Sequence, residues 1–218
     1  MQPTPASAAA IFGERLPLAE RFHASLSEAG PIRGLNGPRE LPVLWDRHII
    51  NSALLAFLPV RILPSGATVC DVGSGGGLPG IPLAIARPDL LVTLVDPLQR
   101  RTDYLREIVT DLGLENVRVV RARAGEPSSP REIGRYAVVT SRAVAPLGRL
   151  LEWCVPLTNP DGFIAAMKGR SVEREIGELS PRQRALVTGF DILDLASPDG
   201  VHSARVLAAQ PRSSRRIR

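Results

Sequence analysis

The chain has 218 residues, 44% of them hydrophobic and 22% charged, which allows one full α/β domain with an extension and excludes both two full domains and extensive disorder. No apolar run approaches the roughly 18 residues that span a bilayer, and no basic segment precedes the Ala-rich stretch near the start, so neither an anchor nor a secretory signal is expected and the chain reads as cytoplasmic. The net charge of +5 is carried by 27 cations, all arginine except Lys168; the planar arginine fork suits phosphates and guanine edges, and a GC-rich genome gives the same bias.

Residues 1–60 read as a helical extension. Helical spacing joins Ile11, Leu16, Leu18, Phe22 and Leu26 over residues 6–29 and stops at Gly30-Pro31. A second pattern over residues 41–58 carries Leu44, Ile49, Leu54, Leu55 and Phe57.

From residue 61 the pattern changes to short apolar runs separated by helical ones. The runs at residues 67–72, 90–95, 117–122, 136–140 and 162–167 predict five strands, with crossover helices over residues 81–86, 99–112 and 144–155. Runs at residues 185–193 and 203–209, joined by Pro198-Asp199-Gly200, predict an antiparallel pair. The expected fold is therefore α/β, a seven-stranded, mostly parallel Rossmann-like sheet with an antiparallel C-terminal hairpin, residues 61–218 forming one compact unit behind the extension.

The segment Asp71-Val72-Gly73-Ser74-Gly75-Gly76-Gly77-Leu78-Pro79-Gly80 carries the strongest chemical signal. A strand runs into glycines that let backbone turn tightly and approach a ligand, and a helix starts near Pro79. Gly75-x-Gly77-x-x-Gly80 formally meets the dinucleotide fingerprint, so an NAD-dependent oxidoreductase is one reading. Two details favour S-adenosylmethionine. Asp71 sits two residues before the first glycine, which suits a sulfonium cation, and Pro79 interrupts the helix start where a pyrophosphate needs free N–H groups. Asp96 ends the second strand, 23 residues after Gly73, near the roughly 20 expected of an acid that binds ribose hydroxyls; capping of the next helix is the alternative.

Cys70 and Cys154 are expected to be buried free thiols. Scattered histidines and two distant cysteines give no metal-ligand spacing, and no metal is expected. Arg212, Arg215, Arg216 and Arg218 form a basic tail that fits either nucleic-acid contact or solubility.

Taken together, Arg47-His48 with Asn51-Ser52, the loop of residues 71–80 followed by Ile81-Pro82-Leu83-Ala84, Asp96 with Arg100-Arg101, Ser141-Arg142-Ala143 and Met167-Lys168-Gly169 form a specific set. Over residues 45–169 the chain resembles the bacterial small-subunit rRNA guanine-N7 methyltransferases, also called glucose-inhibited division protein B. The resemblance implies a Rossmann-like, S-adenosylmethionine-dependent enzyme acting on N7 of one guanine in the 530 loop of 16S rRNA, guanine-527 in the usual numbering. Its partner would be 16S rRNA or the small ribosomal subunit, with the enzyme a monomer. By position, Gly73 and Leu78 would line the cofactor, with Asp71 and Gly75 of the same loop also expected to bind it; Asp96 would hold ribose, Ala124 and Gly125 would face adenine, and Arg142 would close the site. The family often carries an acid where Gly125 stands, so a backbone contact is expected there.

Guanine N7 has an unprotonated lone pair at neutral pH, so no acid or base residue is assigned as catalytic. RNA contacts are sought in Arg47, Arg142, Lys168 and His48. His48 is expected to be packed more than substrate-facing, and Lys168 reads equally as a substrate contact or a solvated lysine. Trp45 is expected in the core rather than stacked on a base. Two further readings stay open: an RNA-binding or assembly protein without turnover, and an enzyme using the same cofactor on another acceptor.

Overall fold

The computed structural model describes residues 3–35 and 37–212; Arg215, Arg216 and Arg218 of the basic tail lie outside the described residues. The sheet has the order β3-β2-β1-β4-β5-β7-β6. Strands β1 (Thr68–Val72), β2 (Leu91–Asp96), β3 (Val117–Arg121), β4 (Tyr136–Arg142) and β5 (Thr158–Lys168) pair in parallel. Strand β7 (Ser203–Pro211) runs antiparallel to both β5 and β6 (Val187–Ala196). The predicted seven-stranded sheet and its terminal hairpin are both present.

Alternation along the strands divides the interior into two cores. Val69, Leu94, Val138 and Ala165 face one; Cys70, Val95, Val139 and Ile164 face the other, as the period of two requires. Helices α4 (Gly80–Ala86) and α5 (Gln99–Asp111) cover the first face. Helix α6 (Leu147–Cys154) covers the second with Leu147, Leu150, Leu151 and Cys154, a helical repeat of one apolar side. Both cysteines are free and buried.

The extension packs into the first core rather than standing apart. Helices α1 (Ala6–Phe12) and α2 (Leu16–Arg33) contribute Phe12, Phe22 and Leu26. Pro31 lies inside the last turn of α2, and it is Gly34, in the left-handed region at φ +65°, that ends the helix past the predicted Gly30-Pro31 stop. Leu26 and Leu35 sit directly on the glycine loop: a Cβ at Gly76 would lie 3.1 Å and 3.4 Å from them. Trp45 is buried as expected and stacks on His23, with ring centroids 4.8 Å apart.

The single helix predicted over residues 41–58 is instead a sequence of turns. A 3₁₀ segment at Pro38–Val43 passes into a π-helical stretch at Leu44–Ile50, a short α3 (Asn51–Ala53) and a second 3₁₀ turn at Leu54–Phe57. Pro38 and Pro42 withhold backbone donors, and π stretches recur where a helix must present particular groups. The predicted helix over residues 144–155 is likewise shorter, because Ala145 precedes Pro146 and is pushed out of helical geometry. Among the described residues no helix is long and apolar enough to cross a membrane.

Candidate active site

The chain moves outward from β1 to β2 and β3, then returns to the other side of β1 to form β4 and β5. Such a reversal opens a crevice at the carboxyl ends of the strands. Here it holds about 270 Å³, walled by Val72, Val95, Ala122 and Trp153, with Gly73 and Asp96 at the strand ends.

The glycine loop is built by backbone bonds. Gly73 N–H and Ser74 N–H both donate to Val95 O, at 2.8 Å and 3.0 Å. Ser74 Oγ donates to Asp71 O and accepts from Val95 N–H. Gly73, Gly75 and Gly77 all have positive φ, which glycine adopts at no steric cost. At Gly73 a Cβ would also fall 2.7 Å from Val144.

Asp96 closes the loop from the next strand. Its Oδ1 accepts Leu98 N–H at 2.9 Å; its Oδ2 accepts Gly75 N–H at 3.1 Å and Arg101 Nη1 at 3.3 Å. Asp96 thus lines the crevice and also holds the turn that leads into α5. Arg101 Nε is buried without a partner beside this crevice. Apolar walls, a carboxylate and an orphaned donor fit a nucleoside, whose base is apolar on its faces and whose sugar bears hydroxyls.

Asp71 stands elsewhere. It is fully buried beneath the loop, where Oδ2 accepts Gly80 N–H at 3.0 Å and Oδ1 has no partner. Burial pushes its carboxyl up to about 7, against the nearby Ser74 hydroxyl and the Gly80 hydrogen bond. It therefore caps α4 instead of facing the crevice. Gly75 and Leu78 also stand outside the crevice lining: Gly75 acts through its bond to Asp96, and Leu78 packs on the first core. Gly80 N–H is bound to Asp71 and Ile81 N–H to Gly77 O, so the first helical donors are engaged.

Ala124 lines the crevice, whereas Gly125 turns behind it at φ +91°, where a Cβ would lie 2.1 Å from Trp153 Cδ1. An acid has no room at Gly125 because the indole occupies its place. Glu126 pairs with Arg123 at 3.5 Å on the surface.

A second, larger cleft of about 980 Å³ adjoins the crevice, and Arg142, Ala143 and Val144 line both. Ala143 is in the left-handed region at φ 53°, a costly conformation for a residue with a Cβ and one that concentrates at functional sites. Arg142 Nη1 donates to Arg47 O at 2.9 Å, and Nη2 lies 2.6 Å from His48 Nδ1. Lys168 also lines the cleft but is neither free nor solvated. Its Nζ donates to Glu175 Oε2 at 2.7 Å and to Ala145 O at 3.2 Å, while Glu175 also accepts Leu147 N–H. Arg47 has an exposed side chain, outside the cleft lining; Arg170 and Arg174 stand in it.

Sequence reasoning missed Glu40, Trp153 and Glu175. Trp153 was signalled only by an aromatic next to buried Cys154 on a helix; the two glutamates had no local signal.

Residues 15–190 match the family described as rRNA small subunit methyltransferase G. The chain belongs to that family. The ribosomal RNA small subunit methyltransferase G of Corynebacterium efficiens is 52% identical over 173 residues, 79% of this chain and 73% of that one. Its namesake from Nocardioides sp. is 57% identical over 168 residues, 77% and 64% of the two chains. The resemblance read from the motifs is thus the family, and the chain is a methyltransferase. The crystal structure titled as a predicted O-methyltransferase, protein Atu636 from Agrobacterium tumefaciens, shares the fold at a TM-score of 0.55 and 16% identity, over 75% of this chain and 82% of that one.

Proposed function

We propose that this methyltransferase binds S-adenosylmethionine in the crevice of Gly73 and Asp96 and methylates small-subunit rRNA presented from the larger cleft, at N7 of the 530-loop guanine. The observation that carries the reading is the shared wall: Arg142, Ala143 and Val144 face both cavities, so a donor in one and an acceptor in the other meet there. The engaged N–H groups at the start of α4 leave no phosphate seat, which favours this cofactor over a dinucleotide.

In this reading Asp96 accepts from the ribose hydroxyls, while Val95, Ala122, Ala124 and Trp153 enclose the base. The bound cofactor supplies an electrophilic methyl group. Arg142 offers its free donors to guanine O6 or a backbone phosphate, and Arg47, Arg170 and Arg174 hold phosphates further out. Lys168 fixes Ala145 and acts on the substrate only through the wall. N7 attacks with its own lone pair, so no side chain needs to take a proton; alignment alone can supply roughly 7 to 11 kcal/mol.

Mass spectrometry of 16S rRNA from cells with and without the gene tests this. Loss of one N7-methylguanine supports it, and an unchanged methylation map refutes it. Calorimetry with S-adenosylhomocysteine and NADH separates the cofactor readings: tight NADH binding without S-adenosylhomocysteine binding would restore the oxidoreductase.

A further inference from the structure

Arg142 is the end of a chain of polar contacts that begins far away in sequence. His48 Nδ1 lies 2.6 Å from Arg142 Nη2, and His48 Nε2 lies 2.6 Å from Glu40 Oε2. A guanidinium has donors only and keeps its proton. Nδ1 must therefore accept, which makes the ring neutral with its one proton on Nε2, donated to Glu40. Every bond runs in one direction, from Arg142 through His48 to the carboxylate.

We propose that Glu40 and His48 are positioning residues for methyl transfer, fixing the Arg142 guanidinium between cofactor crevice and cleft so that its remaining donors meet the substrate. This rests on the reading of the cleft as the acceptor side. The π-helical turn serves it directly, since Arg47 O and the His48 ring come from one stretch and grip the two ends of one fork.

The arrangement contains its own probe. The groups facing His48 are Glu40, Arg47 and Arg142; burial and both arginines hold its pKa below the ordinary 6.5, and Glu40 raises it. Protonation would set an N–H on Nδ1 against the Arg142 N–H and cut the chain. The His48 half of the grip on Arg142 is thus made at neutral pH and lost in acid, leaving only the bond to Arg47 O.

The test combines ¹⁵N NMR of the His48 ring in the full-length protein with kcat/KM for rRNA methylation across pH. The expected free protein shows the Nε2–H tautomer. In Glu40→Gln the amide oxygen still accepts from Nε2–H, but the charge that favours imidazolium is gone. Both the ring titration and the acid limb of kcat/KM should then move together to lower pH. Glu40→Ala frees the ring and should lower kcat by about tenfold or more with cofactor binding unchanged. Asp71, which also titrates near neutrality, would give a limb indifferent to Glu40. A Nδ1–H tautomer overturns the relay alone, as does an acid limb that stays in place in Glu40→Gln. Absence of any methyl transfer to rRNA would instead remove the proposed activity and the positioning role with it.

Discussion

The two walls of the crevice are held by different means. The glycine loop is fixed by backbone donors and acceptors between residues 71 and 96, with Asp71 and Asp96 closing the circuit. The opposite wall, from Arg142 to Pro146, is fixed by ionisable side chains, with Glu40 and His48 at one end and Lys168 and Glu175 at the other. Backbone bonds are indifferent to pH and tolerate few residue types, so on that side only the two aspartates can respond to pH; a wall held throughout by charges accepts more substitutions and responds to acid.

The sharpest break is Gly73→Asp. Its φ of +74° and the 2.7 Å approach of Val144 should displace both walls together, and calorimetry should show S-adenosylhomocysteine binding weakened at least about 100-fold, near 2.7 kcal/mol.

Next is Asp71, which tests whether any charge matters on the backbone side. A folded pKa raised from 3.8 to about 7 means the native state binds the proton more tightly than the unfolded chain. Its contribution to stability is therefore full below 3.8 and is lost as pH rises to about 7. Urea unfolding across that range should show a decline of about 2 to 4 kcal/mol. Asp71→Asn keeps an acceptor for Gly80 N–H and should flatten the slope.

The smallest effect is expected on the charged wall. Lys168→Met leaves Glu175 unpaired, but the pair keeps 10% and 19% side-chain exposure, so about 2 kcal/mol should be lost. Burial works against the Glu175 charge; Lys168 and the Leu147 and Ser171 donors overcome it and hold the carboxyl below its usual 4.5. That contribution is present at neutral pH and lost in acid as the carboxyl protonates, so the wild-type and Lys168→Met unfolding curves should converge there.

This contrast also explains what the sequence disclosed. The loop, the strand that precedes it and Asp96 were legible because their partners lie within one βαβ unit and glycine spacing betrays the turn. The strands were legible because apolar runs and turn residues alternate along the chain. Glu40 was not, for nothing local ties a glutamate between two prolines to a strand end about a hundred residues away. Asp71 was recognised as adjoining the loop, but spacing shows that an acid neighbours the glycines without showing that the strand pleat turns it beneath them. Lys168 escaped for a similar reason: as a lone lysine at a strand end it could not reveal that Glu175, one turn into the next helix, would claim it.

The contact of Leu26 and Leu35 with Gly76 gives the N-terminal segment a mechanical hold on the glycine loop. The N-terminal segment is the bed on which that loop rests, and a shift of α2 is passed to it without an intermediary. Neither leucine lines the crevice, so the loop is braced from behind by side chains that leave its ligand-facing side clear.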